Sequence, residues 1–467
     1  MIHFGTGGWR AIIGDEFIKS NIQLLAQAMA EEITAAGRAE EGIVLGYDRR
    51  FLSDTAARWI AEVLAANKVV VHFIDQIAPT PLVMFGVQSM KTMYGMAVTA
   101  SHNPADYNGI KVFTEGGRDA DEVATGILEA RIEKGLTVKS TSFDEGVKAG
   151  YIRITDLYNE YLDSIISLIR MGDIRKKRMK ILLDPMFGVS KTALQTVLVT
   201  ARCDVDIIND RHDTLFGGRL PAPSAHTLHK LSDMVVEEGY ELGIGTDGDA
   251  DRIGIIDSNG VFVHPNEILM LLYYYLLRYK GEKGDVVRNI ATTEILDRIA
   301  KDFGQVCHEV PVGFKHISSK MEETNALIGG ESSGGLTIRG HIRGKDGIFA
   351  SALLVEMLCV TGKSLRELLD EIYDRYGHLE MAEFDTRFSA EKKEELQQTL
   401  FVEKKLPTFP WAVKSVSYMD GLKICFENGW IIARFSGTEP LIRIFCEMET
   451  REIAESAIDM MRKFLEV

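Results

Sequence analysis

The chain has 467 residues, 46% hydrophobic and 26% charged, which is enough for three or four domains of about 150 residues, each with its own core. Fifty-three basic residues against 68 acidic ones leave a net charge of −15. That balance excludes binding to nucleic acid through a basic face, so any anionic ligand must be drawn by local clusters.

In chain order, Asn21 to Ala36 reads as an amphipathic helix and Gly42 to Asp48 as a buried strand. A helix over Ser53 to Asn67, capped by Ser53 or Asp54, leads to a strand over Val69 to Ile74. The rhythm recurs at Tyr158 to Ile169, Lys180 to Asp184, Lys191 to Val199 and Val205 to Asn209. After Ile253, helices are predicted over Glu267 to Tyr279 and Thr293 to Phe303. Strands separated by helices of this length predict mainly parallel sheets covered on both faces. The charged stretch Asp370 to Glu383 is read as a boundary region and the run Lys392 to Glu395 as a solvated helix.

The last ninety or so residues have a different pattern. Val413 to Tyr418, Leu422 to Phe426, Trp430 to Phe435 and Leu441 to Met448 read as strands, the first three joined by the hairpin signals Asp420-Gly421 and Asn428-Gly429. Ile453, Ala457, Met460, Met461 and Phe464 mark one face of a terminal helix with Thr450 as its cap. The longest apolar run, Ile268 to Leu277, is too short for a membrane helix of about 20 residues. No basic-then-apolar leader is visible in residues 1–14. The five cysteines are scattered without metal-ligand spacing. Together these features predict a cytoplasmic protein with reduced thiols and no membrane contact.

Four loops could carry chemistry. The first, Thr99-Ala-Ser-His-Asn-Pro104, follows the apolar run Met96 to Val98. Pro104 keeps Asn103 extended, so Ser101 is presented on a loop past a strand end, with Asn108-Gly109 turning the chain back. Taken alone, it could equally be an ordinary polar loop. The second is Asp247-Gly-Asp-Ala-Asp-Arg252, between strands over Glu241 to Gly245 and Ile253 to Asp257. Three carboxylates at alternate positions repel one another unless a cation sits among them, and hard oxygen ligands suit Mg²⁺ or Ca²⁺. An EF-hand is excluded, because its sixth position is Arg252 where glycine is required and its twelfth is Ser258 where glutamate is required. The third, Gly329-Gly-Glu-Ser-Ser-Gly-Gly335, offers donors and acceptors that suit sugar hydroxyls. The fourth, Arg434-Phe-Ser-Gly-Thr-Glu-Pro440, with Arg443 just beyond, has the makings of an anion nest and is not a P-loop.

With these loops in this order, the sequence resembles the α-D-phosphohexomutase family over essentially its whole length. Supporting matches are Phe4-Gly-Thr-Gly-Gly-Trp-Arg10, Gly46-Tyr-Asp-Arg-Arg50, Val312-Gly-Phe-Lys315 and Lys345-Asp-Gly347. The resemblance implies an α/β protein of three similar mixed-sheet domains followed by a smaller α+β domain with an antiparallel sheet. It places a phosphoserine loop in 1–150, a metal-binding loop at the end of 151–252, a sugar-recognition loop in 253–376 and a phosphate-binding domain in 377–467. It implies that Ser101 is phosphorylated and, with Asp247, Asp249 and Asp251, holds Mg²⁺. Glu331 and Ser333 would grip sugar hydroxyls, and Arg434, Ser436, Gly437, Thr438 and Arg443 the phosphate that is not transferred. Arg10, His102, Lys111, Arg252 and Lys345 are candidates for charge stabilisation or proton transfer, with Lys111 the first choice for acid–base work. Lys315 is a further substrate-binding candidate.

The implied reaction interconverts hexose 1-phosphate and hexose 6-phosphate through a bound hexose 1,6-bisphosphate, by a monomer or homodimer whose only partners are small sugar phosphates. Glu331-Ser-Ser-Gly-Gly335 departs from phosphoglucosamine mutases, which carry Gln before the second serine and His after the glycine. Glucose and mannose phosphates are therefore the expected substrates, with glucosamine phosphate as the alternative. The other readings are an aspartyl phosphatase built on the Asp247 loop and a non-catalytic sugar-phosphate sensor.

Overall fold

A computed structural model describes residues 2–5, 7–435 and 441–467. Four sheets follow one another along the chain. The first runs Trp9–Ile12, Tyr107–Thr114, Tyr94–Val98, Ile43–Tyr47, Val71–Ile77, Ile152–Ile154, with Arg118–Asp119 beside Tyr107–Thr114. The second runs Phe262–Val263, Ile253–Asp257, Leu242–Thr246, Lys180–Asp184, Asp204–Ile207. The third runs Cys307–Val310, Val286–Asn289, Ile328–Gly330, Leu336–Ile338.

All three sheets share one plan: parallel neighbours, followed by a single strand that returns antiparallel beside the last of them. The returning strand makes each sheet mixed, and in the first two sheets short strands pair antiparallel to it in turn. It also fixes the loops, because residues 99–106, 247–252 and 331–335 each close that same hairpin. Loops beyond the carboxyl ends of strands in open α/β sheets are where ligands bind. The fourth sheet, Glu380–Arg387, Leu441–Met448, Gly429–Phe435, Leu422–Phe426, Ser415–Ser417, is antiparallel throughout.

A continuous apolar core joins the first three sheets, from Val44 and Leu82 through Tyr161 and Ile181 to Leu271 and Ile372. The C-terminal sheet has a separate core, closed by the helix Arg451–Leu465. The run Ile268 to Leu277 lies buried in the helix Pro265–Arg278. Among the described residues no single helix is long and apolar enough to cross a membrane. All five cysteines are free.

Several local expectations need correction. The helix Ser53–Ala66 is not capped by Ser53 or Asp54. Leu52 precedes it at φ 66°, and the Ser53 hydroxyl donates to Asp48 instead, 2.7 Å. Asn108-Gly109 is not a turn but part of the strand Tyr107–Thr114. Glycine is needed there because a Cβ would stand 2.3 Å from the Trp9 carbonyl oxygen. The charged stretch read as a boundary region begins in the helix Leu365–Tyr376 and ends in the edge strand Glu380–Arg387. That strand buries Ala382 and exposes Glu383, Asp385 and Arg387, the charged outer face typical of a sheet edge. The terminal helix starts at its Thr450 cap, but its buried face is Ala454, Ala457, Ile458, Met461 and Leu465, so Met460 and Phe464 lie on its flank. The first sheet continues past residue 150 through Ile152–Ile154, and the second past residue 252 through Ile253–Asp257 and Phe262–Val263.

Candidate active site

The Ser101 loop is held from beneath by Arg50. Its guanidinium donates to the carbonyl oxygens of Ser101 (2.7 Å), Asn103 (2.6 Å), Pro104 (2.8 Å) and Tyr107 (3.0 Å). Asp48 lies 3.6 Å from its Nε and the Phe216 ring 4.8 Å from its centre. With Thr99 Oγ1 accepting from the Ser101 amide, the serine sits at φ 52°, a left-handed conformation that costs an L-residue free energy unless its surroundings fix it. Ser101 is fully buried, not displayed, because His102 and Arg252 lie beside its hydroxyl.

The second hairpin loop meets the first one directly. Ser101 Oγ donates to Asp247 Oδ2 across 2.9 Å, although the two residues are 146 positions apart. Asp247 Oδ1 accepts from the amides of Asp251 and Arg252, both 3.0 Å. Oxygens of Asp247, Asp249 and Asp251 lie within 4.8 Å of one another, and all three residues are fully buried. Lys111 Nζ takes one oxygen each of Asp249 and Asp251 at 2.6 Å, Thr80 Oγ1 donates to the same Asp249 oxygen at 2.6 Å, and Lys345 Nζ lies 3.2 Å from Asp251.

The other oxygens, Asp249 Oδ1 and Asp251 Oδ1, are buried without a hydrogen-bond partner among the described residues. An orphaned buried carboxylate oxygen is costly, and two of them beside Asp247 make a hard-oxygen donor set that suits Mg²⁺. Burial, then Asp251 and Asp249, push the Asp247 carboxyl well above its ordinary range. Burial acts the same way on Asp251, but Lys111, Lys345 and Arg252 outweigh it and hold that carboxyl well below its ordinary value. Arg252 first, then burial, hold the His102 imidazole well below its usual value, so the ring is neutral. The Arg252 guanidinium contacts His102 Nδ1, which sits 3.3 Å from Ser101 Oγ.

Lys111 is not the surface charge that a strand lysine usually is. It is 3% exposed, and although burial opposes its charge, Asp249 and Asp251 raise its pKa above the ordinary lysine value. Paired in this way, it carries a buried positive charge into the carboxylate triad.

The third loop closes over the second. At Gly334, φ 91°, a Cβ would stand 2.7 Å from the Ile253 carbonyl oxygen, and at Gly335 one would meet the Lys345 side chain at 2.3 Å. Glu331 Oε1 accepts from the Gly313 amide at 3.1 Å and Oε2 from the Ser333 hydroxyl at 3.3 Å. Lys315 pairs with Glu122 across the first and third domains. From the C-terminal domain, Arg434 and Arg443 stand directly opposite each other on neighbouring strands, with Asp420 2.8 Å from Arg434 Nε and Asp385 3.6 Å from Arg443 Nε.

These side chains converge on a cleft of about 410 Å³. Its lining includes Arg10, His102, Lys111, Arg252, Lys315, Glu331, Ser333, Lys345, Arg434 and Arg443. Ser436, Gly437 and Thr438 lie outside the described residues. A larger hollow of about 1060 Å³, between the helices Lys19–Ala35 and Glu122–Glu133, contains none of the predicted site residues. Arg50, Thr80 and Asp420 also support the site without having been assigned to it from sequence. Only Arg50 had a signal, the Gly46–Arg50 string.

An α/β plan used three times, with its equivalent hairpin loops gathered on one cleft, is the architecture of a phosphohexomutase. Four family descriptions of phosphoglucomutase/phosphomannomutase match in chain order: α/β/α domain I over residues 1–139, domain II over 159–260, domain III over 264–376 and the C-terminal domain over 390–464. The chain therefore belongs to the phosphoglucomutase/phosphomannomutase family. It is 30% identical to a phosphoglucomutase/phosphomannomutase of Thermococcus kodakarensis, covering 99% of this chain and 98% of that one. It is 29% identical to a phosphoglucosamine/phosphogalactosamine mutase of Sulfurisphaera tokodaii, covering 99% of both. A crystal structure provisionally named as a phosphomannomutase, from Thermus thermophilus, superposes with a TM-score of 0.87 at 29% identity, over 100% of this chain and 99% of that one.

Proposed function

We propose that this phosphohexomutase interconverts hexose 1-phosphates and hexose 6-phosphates, with glucose and mannose phosphates as substrates, through a phosphorylated Ser101. The observation that carries the reading is the 2.9 Å contact of Ser101 Oγ with an acidic triad in which Asp249 Oδ1 and Asp251 Oδ1 have no partner among the described residues. A phosphate on Ser101 would complete the surroundings of a cation there. Asp247, Asp249 and Asp251 would hold Mg²⁺, which when bound neutralises charge on the transferring phosphoryl group.

The chain's own groups do the rest. The bond from phosphorus to Ser101 Oγ breaks as an oxygen of the free sugar hydroxyl bonds to phosphorus; the hydroxyl loses its proton, Ser101 Oγ takes one up, and the product is a hexose 1,6-bisphosphate. His102 Nδ1 lies 3.3 Å from Ser101 Oγ and is contacted by the Arg252 guanidinium, so the ring and the arginine together fix the surroundings of that oxygen. Lys111, Arg252 and Lys345 fix positive charge around the carboxylates, and Arg10 lines the same cleft. Glu331 and Ser333 face sugar hydroxyls, with Lys315 at the rim. Arg434 and Arg443, with Ser436, Gly437 and Thr438, hold the phosphate that stays. After the bisphosphate turns over, its other phosphate returns to Ser101.

Intact-mass measurement tests the phosphoserine. An addition of about 80 Da mapping to Ser101 is expected after incubation with a hexose bisphosphate, and its absence would sink the reading. Turnover of glucose, mannose and glucosamine 1-phosphates, each primed with its own bisphosphate, tests the substrate. The second reading, phosphoglucosamine mutase, is favoured by the name of the Sulfurisphaera relative and would win if only the amino sugar reacts.

A further inference from the structure

We infer that Asp420 is a positioning residue that couples the phosphate-holding arginine of the C-terminal domain to the sugar-gripping loop of the third domain. The inference rests on the proposed role of Arg434. Asp420 sits in the hairpin before the strand Leu422–Phe426 and uses one oxygen twice. Its Oδ2 accepts from Arg434 Nε at 2.8 Å and from the Val312 amide at 2.9 Å. The next amide, Gly313 N–H, donates to Glu331 Oε1 at 3.1 Å, and the Ser333 hydroxyl holds the other Glu331 oxygen at 3.3 Å.

Two consecutive amides thus bridge two carboxylates, one from each domain. Gly313 at φ 127° lets both amides project this way, a conformation other residues rarely adopt. Gly421 keeps the hairpin close to Arg434, since a Cβ there would stand 2.6 Å from the Ala433 carbonyl oxygen and 3.1 Å from Arg434 Cα.

The geometry has two consequences. Asp420 orients the guanidinium through its Nε, so Arg434 meets a phosphate in one plane instead of searching several. It also reaches the Val312 amide only while the C-terminal domain is docked on the third. Arg434 and Glu331 are therefore set at a fixed separation, which a hexose bisphosphate must span in both of its orientations. Losing the bridge should weaken the grip on the sugar phosphate and let the bisphosphate escape between half-reactions.

The test compares Asp420→Asn, Asp420→Ala and Arg434→Ala with the parent chain, in steady-state turnover of hexose 1-phosphate with saturating hexose 1,6-bisphosphate. Asp420→Ala should raise KM about tenfold, as expected for a lost charge-assisted hydrogen bond, and Asp420→Asn about threefold, with kcat far less affected. Bisphosphate released per turnover should rise in the same order. In an Arg434→Ala background, Asp420→Ala should change KM no further. Unchanged KM and unchanged bisphosphate release in the Asp420 variants, beside a raised KM in Arg434→Ala, would overturn the coupling while leaving Arg434 its role. If Arg434→Ala also leaves KM unmoved, both fall together. Should Asp420→Ala fail to fold, Asp420→Asn decides alone: a raised KM supports the coupling and an unmoved one overturns it.

Discussion

Gly248 shows how closely the serine and carboxylate loops are fitted. A Cβ on this residue would stand 2.7 Å from the Ser101 carbonyl oxygen, a backbone atom that cannot swing aside. Its carbonyl accepts from the Val189 amide and its own amide donates to the Pro221 carbonyl, so the carboxylate loop cannot retreat freely either. Gly248→Ala must therefore push Ser101 away from Asp247 by a fraction of an ångström to an ångström. Displacements of that size can cost about 100-fold in rate, and the expected outcome is a folded protein with turnover reduced to about that extent. Turnover within threefold of the parent would show that the contact is dispensable. Lys111 makes the second residue-scale case. Removing its cation in Lys111→Met leaves Asp249 and Asp251 buried without it, a loss of about 3 kcal/mol or more. Mg²⁺ should recover part of this, so melting in the presence and absence of Mg²⁺ should differ more in the variant than in the parent. Equal differences would place the cation elsewhere. The sequence displayed both lysine and aspartates but not their union, because the partners of Lys111 lie 138 and 140 residues away. Burial of a charge is a property of the assembled sheets, not of a strand read alone.

At the scale of elements, the legible features were those carried by local pattern. Strands such as Lys180–Asp184 and Leu422–Phe426, and the Thr450 cap, follow from hydrophobic runs, hairpin dipeptides and capping chemistry. The edge strand Glu380–Arg387 was hidden because its outer face is charged and only Ala382 is fully buried. The charges of the neighbouring helix Leu365–Tyr376 are partly structural. Glu371 accepts from Tyr274 and Tyr279 hydroxyls, each at 2.8 Å, and from Lys363 at 2.5 Å, which ties this helix to Pro265–Arg278. Burial raises the Glu371 pKa, but the hydrogen bonds from Lys363, Tyr279 and Tyr274 outweigh it and lower it. A depressed folded-state pKa means stability that is fully present above the unfolded value of 4.5 and lost as pH falls through the lower folded value. Glu371→Gln should cost about 1 to 2 kcal/mol at neutral pH, and the gap between variant and parent should close as pH is taken below 4 in urea titrations. A gap that stays constant across that range would assign the loss to packing.

At the scale of the whole molecule, the first three domains share one continuous core while the C-terminal domain has its own, so cooperativity between them depends on a narrow seam. That seam is a small apolar cluster of Ile290, Ala291, Trp430 and Ile432, crossed by a polar network. Lys423, 1% exposed, reaches from the C-terminal sheet to the Ile290 carbonyl at 2.9 Å and to Glu309 at 2.5 Å, with its ammonium 4.6 Å from the Trp430 ring centre. Glu447 Oε2 accepts from both Trp430 Nε1 and the Glu294 amide at 2.9 Å. Lys423→Met keeps the apolar stem and removes the charge. Glu309 keeps Arg288 at 2.6 Å, so the cost falls at the lower end for breaking a buried pair, about 3 kcal/mol, and falls on the seam. Neither core loses an atom from its packing, so each domain should keep its own stability while their coupling weakens. The expected result in scanning calorimetry is a separate, earlier transition for the C-terminal domain, with the main transition unmoved. Arg434 and Arg443 arrive at the cleft on that domain, so KM for hexose phosphate should rise in parallel at temperatures below the main transition. A single transition at the parent's midpoint would show that the apolar cluster, with the Glu447 and Asp420 bridges, holds the seam without Lys423. The buried lysine would then be a registry device that contributes little to docking strength.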